Sequence, residues 1–307
     1  MPERTWPSVA VAGAGAVGCY FGGMLAHAGA PVMLIGRQPH MDAVARGGLL
    51  LDRAGVQLRI PLQASTTLDA VRDREIVLFC VKTVDTESAA AAMAPHLSSG
   101  SLVISLQNGV DNVARIRTAS GIHAIAAVVY VAAAMVAPGH VQHSGRGDLI
   151  FGDPLHTGID LGRLRPLFER AEIDCRVSHD IATDLWKKMI VNCAYNAISA
   201  LGRARYGRIA ANPAARRLMT QVVEEAVAVA GAEGVPLPLD TMLAEAFSLG
   251  EAMSNARSST AQDIERGRRT EIDALNGFVV RRGAERGVPV PANQALFALV
   301  KLLEDPE

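Results

Sequence analysis

The sequence predicts an α/β amino-terminal domain followed by an all-α carboxyl-terminal domain. Short apolar runs alternate with helical stretches along the first part of the chain, the pattern of a parallel sheet covered by helices. After about Ser178 the strand signals stop and helical periodicity takes over. At 307 residues, half of them hydrophobic, the chain is long enough for two cores. The expected domains are therefore 1–179 and 180–307.

Val9 to Ala12 reads as a buried strand, and Gly15 to Ala28 as the helix after it. "PVMLIG" (Pro31 to Gly36), "EIVLFCV" (Glu75 to Val81) and "SLVISL" (Ser101 to Leu106) are further buried strands. The segment "GLLLDRAGVQLRI" alternates around Arg53-Ala54-Gly55 and predicts an inserted hairpin. "ESAAAAMAPH" (Glu87 to His96) predicts a packed helix. From Ala124 to Gly152 the chain reads as long antiparallel strands, broken at Pro138-Gly139 and at Gly145-Arg146-Gly147. The apolar run Ala124 to Ala137 falls short of the roughly 20 residues that a membrane span needs and predicts a buried strand. The carboxyl-terminal helices break at Gly231 to Pro238 and at Gly287 to Pro291. Trp6 and Trp186 read as packing residues.

Thirty basic against thirty-one acidic side chains leave no electrostatic footprint for nucleic acid or an anionic membrane, so neither is expected as a partner. "MPERTWPS" lacks the basic-then-apolar pattern of a signal peptide, and Cys19, Cys80, Cys175 and Cys193 form no C-x-x-C pair. A cytoplasmic protein with four buried thiols is the expectation. His140 and His143, three apart on a strand, point to opposite faces, and no metal site is expected.

Chemistry enters first at "VAVAGAGAVGCYFGGMLAHAG". Gly13, Gly15 and Gly18 form G-x-G-x-x-G directly after a strand and at the start of a helix, the context in which the pattern binds a dinucleotide. Gly13 permits the tight turn, Gly15 lets a pyrophosphate approach, Gly18 lets helix and strand pack, and the backbone there, with Ala16 and Val17, offers N–H groups to phosphate. The amino-terminal domain is thus expected to be Rossmann-like. The second strand ends in "LIGRQPH", with Arg37 and no acidic residue, which favours the 2′-phosphate of NADP over the free ribose of NAD. Lys82, just past "LFCV", and Asn108, in "SLQNGVDN", fall on the carboxyl edge where open α/β sheets bind ligands.

"WKKMIVNCAYNAISAL" (Trp186 to Leu201) is a helix apolar nearly all the way round. Lys188, Asn192 and Asn196 sit at i, i+4 and i+8, one polar stripe on a helix turning about 100° per residue, and such a stripe is expected to line a cleft. In "SSTAQDIERGRRTEIDALNG" Ser259 and Gln262 have the form of a capping box. The same helix is expected to carry Asp263 and Glu271, eight residues apart.

Taken in order, "GAGAVG", a basic residue after the second strand, "VK", "LQNGV", "WKKMIVNCAYN" and "SSTAQDIERGRRTEIDALNG" resemble the ketopantoate reductase family, the 2-dehydropantoate 2-reductases, over nearly the whole chain. The resemblance implies a Rossmann domain followed by a helical one, with the active site in the cleft between them. It implies NADPH as cofactor, reduction of a small 2-oxo acid to a 2-hydroxy acid, and a role in pantothenate biosynthesis, in a monomer or homodimer. Lys188 matches the family's general acid and Glu271 its catalytic carboxylate. Asn192 and Asn196 match substrate-binding amides, Asn108 the amide on the cofactor side, Ser259 a substrate contact, and Arg37 and Lys82 the positions that favour NADPH. Thr260-Ala261 is smaller than the apolar pair in many members, which suggests a preference for a 2-oxo acid other than ketopantoate. Two other readings are a β-hydroxyacid or phosphogluconate-type dehydrogenase and an NADP-binding regulator without catalysis.

Overall fold

The computed structural model describes residues 6–305, so residues 1–5 of the opening "MPERTWPS" and residues 306–307 lie outside the described residues. The chain divides into two compact units: the first runs to Gln107 and resumes over Asp111–Ile181, and the second comprises Asn108–Val110 and the residues from Ala182 onward.

The first unit holds, in chain order, β1 (Val9–Ala12), α1 (Ala16–His27), β2 (Val32–Ile35), α2 (Gln38–Gly47), β3 (Leu49–Arg53), β4 (Val56–Ile60), β5 (Gln63–Ser65), β6 (Ile76–Phe79), α3 (Thr86–Met93), β7 (Leu102–Ser105), α4 (Asn112–Ser120), β8 (Ile125–Ala137), β9 (His140–Gly152), α5 (Leu164–Arg170) and β10 (Cys175–Val177). Its strands make one sheet in the order β4-β3-β9-β8-β7-β6-β1-β2-β5, with β10 on β9. Every residue of β1, β6 and β7 is buried, as parallel strands covered on both faces require of runs such as VAVA, IVLF and LVIS. Because β2, β1, β6 and β7 run parallel, their carboxyl ends share one edge. The chain moves outward from β1 in one direction to β2 and in the other to β6, so a switch point opens between β1 and β6.

The inserted segment is the expected hairpin, β3 antiparallel to β4. Two expectations for the long strands need correction. The run Ala124 to Ala137 is buried only through Val129, because β7 ends at Ser105 and pairs with β8 only at Ile125 and Ala126. Gly145-Arg146-Gly147 does not break β9; register shifts between Tyr130 and Val131 and between Ala132 and Ala133 absorb the irregularity as bulges. His140 Nε2 lies 2.8 Å from Asp52 Oδ2, and His143 stacks on Tyr20 with ring centres 4.4 Å apart. Among the described residues no group of three or more His, Cys, Asp and Glu is placed to hold a metal ion. Cys19 and Cys193 are buried, whereas Cys80 and Cys175 are only partly so, and all four are free thiols.

The second unit is built from α6 (Ile181–Leu201), α7 (Tyr206–Ala211), α8 (Pro213–Ala232), α9 (Leu239–Ala252), α10 (Ser259–Glu265), α11 (Asn276–Arg286) and α12 (Pro291–Glu304). Among the described residues no helix is long and apolar enough to cross a membrane. α6 supplies Trp186, Met189, Ile190, Cys193, Ala194 and Ala197 to the core. Trp186 meets Phe278 of α11 edge-on at 5.9 Å, and the Tyr195 hydroxyl donates to the Ala246 carbonyl of α9 at 2.8 Å. Burial pushes the Cys193 thiol well above its usual range, so it packs as a small neutral group. An amide pair ties the bundle together. Asn276 Nδ2 donates to Asn293 Oδ1 at 2.9 Å and to the Cys193 carbonyl at 3.3 Å, and Asn293 Nδ2 donates to Glu225 at 2.8 Å. Glu225 also accepts the Ala292 and Asn293 N–H groups, which caps the positive end of α12 with a carboxylate.

Glu233, just past α8, accepts two hydrogen bonds from Arg282 and one from Arg286 of α11, all at 2.7 to 2.8 Å. Burial opposes ionisation of this carboxyl, but the two guanidinium groups prevail and hold it below the usual range. A depressed carboxylate contributes stability that is complete above its ordinary value of about 4.3 and is lost as pH falls through the folded value. Glu233→Gln is therefore expected to lower the thermal midpoint at pH 7 by several degrees, and the gap should close progressively below about pH 4. Melting curves of both proteins between pH 3 and pH 7 check this; a gap that is constant with pH would exclude the ion pairs as its source.

Candidate active site

The glycine turn shows which of its three glycines the protein itself demands. Gly13 has φ +105°, and a Cβ there would lie 2.6 Å from the Cys80 carbonyl carbon and the Val81 nitrogen. A Cβ on Gly18 would overlap the Gly13 oxygen and fall 2.7 Å from Val11 Cγ1, so this glycine seats α1 on β1. Gly15 is different. It caps α1 with φ −84°, it is exposed, and a Cβ there would meet nothing within 4 Å. Among the described residues no atom requires glycine at that position, and the space above it suits a group brought from outside. The first intrahelical bond of α1 is Cys19 N–H to Gly15 oxygen, at 2.8 Å, which leaves the N–H groups of Ala16, Val17 and Gly18 without an intrahelical acceptor.

The same edge carries the basic residues. Arg37 follows β2 directly, exposed, as the residue that opens α2. Lys82 is half-buried in the link between β6 and a 3-10 turn at Thr83–Asp85. Gln107, absent from the sequence-based site, closes β7: its buried amide accepts from Ser105 Oγ at 3.0 Å and donates to the Val81 carbonyl at 3.0 Å and to Thr86 Oγ1 at 2.8 Å. It thereby ties together the chain segments that leave β6 and β7. An uncharged polar residue at the end of an apolar strand was the available signal.

The second unit contains a polar cluster of its own. Lys188 is half-buried on α6, and its Nζ donates to Asn108 Oδ1 at 2.8 Å. Asn108 Nδ2 in turn donates to Glu271 Oε2 at 3.0 Å. The two charges fix the amide's orientation, since its oxygen can only accept from the ammonium and its nitrogen can only donate to the carboxylate. Asn192 lies half-buried one turn along α6, and Asn196 a turn further is buried, 3 % exposed. Lys187, the neighbour, points elsewhere and lies 3.9 Å from Glu245.

The "SSTAQD…TEID" segment departs from expectation in two respects. The cap of α10 is Ser258, whose Oγ accepts the Ala261 N–H at 3.0 Å; Ser259 is the first helical residue and is exposed. Gln262 completes no box, because its side chain donates instead to the Arg257 carbonyl. Of two adjacent serines, the buried one takes the cap, and its hydroxyl also donates to the Asn196 carbonyl at 3.1 Å, which links the start of α10 to the stripe on α6. Glu271 does not share a helix with Asp263. α10 stops at Glu265, Gly267 turns the chain at φ +59°, and Glu271 precedes a 3-10 turn at Ile272–Ala274. Thr260 and Ala261 are buried in the second unit, at 1 % and 3 % exposed.

Sheet order, glycine turn and exposed Gly15 define a dinucleotide-binding protein whose helical unit carries an ammonium, an amide and a carboxylate in one chain of hydrogen bonds. The chain belongs to the ketopantoate reductase family: residues 9–155 match "Ketopantoate reductase PanE/ApbA" and residues 180–304 match its C-terminal region. It is 32 % identical to the 2-dehydropantoate 2-reductase of Pyrococcus abyssi, covering 95 % of this chain and 96 % of that one. The crystal structure of a PanE/ApbA family ketopantoate reductase from Ralstonia eutropha JMP134 matches with a TM-score of 0.91 at 47 % identity, covering 97 % of this chain and 98 % of the other. That of 2-dehydropantoate 2-reductase from Geobacter metallireducens GS-15 matches at 0.85 with 28 % identity, over 96 % and 99 % of the two chains. Membership of this family sets aside the β-hydroxyacid dehydrogenase reading.

The contrast among the glycines is testable. Gly15→Ala is expected to keep the parent thermal midpoint while weakening binding of a nicotinamide dinucleotide by about tenfold or more, since the new methyl enters ligand space. Gly18→Ala should instead destabilise the fold by about 1–3 kcal/mol through overpacking. Melting curves and fluorescence titrations with NADPH distinguish the two; unchanged affinity in Gly15→Ala would show that the turn does not hold the pyrophosphate.

Proposed function

We propose that this chain is an NADPH-dependent 2-oxo acid reductase in which Lys188 is the proton donor. The observation that carries the reading is the chain of bonds from Lys188 to Asn108 to Glu271. Gly13, Gly15, Ala16, Val17 and Gly18 would hold the pyrophosphate, Arg37 the 2′-phosphate, and Lys82 a further phosphate oxygen or the substrate. NADPH, when bound, supplies a hydride to the carbonyl carbon. Lys188 Nζ gives a proton to the carbonyl oxygen as charge builds there, and the product is a 2-hydroxy acid. Asn108 keeps the ammonium on station through its side-chain oxygen, and Glu271 fixes the amide from the other side. Asn192, Asn196 and Ser259 would bind the substrate's carboxylate and carbonyl. Ketopantoate is the 2-oxo acid in this family's name, and its reduction is a step toward pantothenate.

The burial of Thr260 and Ala261 leaves the size argument for another 2-oxo acid resting on volume alone. A panel of 2-oxo acids that includes ketopantoate, followed by NADPH absorbance, ranks kcat/KM directly. No turnover with any of them would favour a binding protein without catalysis.

Lys188→Ala is expected to lower kcat by about 10² to 10⁴-fold with NADPH affinity nearly unchanged, whereas Lys187→Ala stays close to the parent. A folded, fully active Lys188→Ala would refute the assignment, and a folded, inactive Lys187→Ala would transfer it to the neighbour. For the cofactor, the parent should bind NADPH more tightly than NADH, and Arg37→Asp should narrow or reverse the preference. Equal affinities in the parent protein would sink the role given to Arg37.

A further inference from the structure

Of the three residues in "TEID" that take no part in the reaction proposed above, the structure gives two, Thr270 and Asp273, a side-chain partner on α12. Thr270 is buried, and its N–H and hydroxyl both donate to Glu304 Oε1 at 2.6 Å. The same hydroxyl accepts the Ile272 N–H at 3.1 Å. Glu271 is thus bracketed: the Thr270 N–H before it is held by Glu304, and the Ile272 N–H after it by the Thr270 hydroxyl. Lys301 Nζ donates to Glu304 Oε2 at 2.5 Å and to Asp273 Oδ2 at 3.1 Å, so the last residue of the motif is tied to the same helix. The Glu304 side chain is 3 % exposed. Burial opposes its charge, but the bonds from Lys301 and Thr270 hold its carboxyl below the usual range. The anion therefore persists at neutral pH with three donors from the motif and the lysine on its oxygens.

Such a clamp is more than the segment needs to end a helix. Glu271 lies in an irregular stretch between α10 and α11, where neither helix fixes its backbone. A carboxylate that must meet one amide at 3.0 Å needs that backbone fixed by other means. We propose that Glu304, Lys301 and Thr270 form a positioning clamp, through which α12 sets the orientation of Glu271 and hence of the Asn108 amide and the Lys188 ammonium. This rests on the reading of Glu271 and Lys188 as the working pair.

The test uses the full chain with ketopantoate and NADPH, and compares Thr270→Val, Thr270→Ser, Glu304→Ala and Glu271→Ala with the double variant Thr270→Val/Glu271→Ala. Thr270→Val and Glu304→Ala are expected to lower kcat by about 10- to 100-fold, the scale of a small misplacement of a reacting group, while NADPH affinity stays at the parent value. Thr270→Ser, which keeps the hydroxyl, should restore kcat. In the Glu271→Ala background Thr270→Val should add no further loss, because the clamp acts through the residue already removed. Circular dichroism and melting curves accompany each variant, and if Glu304→Ala does not fold, the valine and serine pair at Thr270 decides. Full kcat in folded Thr270→Val beside an impaired Glu271→Ala would overturn the clamp alone, as would losses that multiply in the double variant. A fully active Glu271→Ala would overturn the underlying assignment of Glu271 instead.

Discussion

The helical unit depends on the burial of α6. A 21-residue helix that is apolar on every side but one can persist only inside a bundle, and α7 to α12 supply its walls through contacts such as Trp186 with Phe278 and Tyr195 with the Ala246 carbonyl. Once it is enclosed, the line through Lys188, Asn192 and Asn196 carries polar groups along the otherwise apolar middle of the helix. A half-buried ammonium on that track is costly unless it is hydrogen-bonded, and the Asn108 oxygen at 2.8 Å offsets much of that cost. Three residues, Asn108–Val110, are grouped with the helical unit although the chain on either side belongs to the first, and Val110 packs against the helical core. The local structure around Asn108 is therefore set by what α6 presents.

Asn108 works as an adaptor between opposite charges. Its oxygen accepts from the ammonium and its nitrogen donates to the carboxylate, so one amide links the two charged groups. The cost of this arrangement is geometric, because three side chains from distant points in the sequence must agree within a few tenths of an ångström. Ser258, which caps α10 and also holds the Asn196 carbonyl, and the clamp on "TEID" are anchoring devices of the kind that such agreement calls for.

In the first unit the governing constraint is parallel pairing. Strands that run the same way bring their carboxyl ends to one edge, so the glycine turn after β1, Arg37 after β2, Lys82 after β6 and Gln107 after β7 gather there, although nearly a hundred residues of sequence separate the first from the last. Gly13 and Gly18 answer to the protein's own packing and Gly15 does not. That difference is visible only with coordinates, because all three are simply glycine in the sequence.

Much of the fold was legible in the sequence, and for a local reason: β1, β2, β6, β7, the β3–β4 hairpin and the helices either side of the predicted breaks announce themselves by periodicity and by runs of one character. The strands β5 and β10, three residues each, carry too few side chains to show a period, and they exist because β2 and β9 offer an edge to pair with. Among the candidate site residues, the stripe on α6 could be read because it follows from helix geometry alone, and the glycine turn because its spacing is fixed by the strand–helix junction. What sequence could not supply was set by contacts across long separations. Which of two adjacent serines caps α10 depended on the carbonyl of Asn196, 62 residues away. Where α10 ends, and so whether Asp263 and Glu271 share a helix, depended on a turn at Gly267 that the apolar pattern does not reveal. The sequence by itself determined which residues carry charge and hydrogen-bonding capacity and how they are spaced along each helix or strand. That an asparagine at position 108 bridges a lysine 80 residues later and a glutamate 163 residues later was decided only by tertiary packing, since no local periodicity encodes a contact at such range.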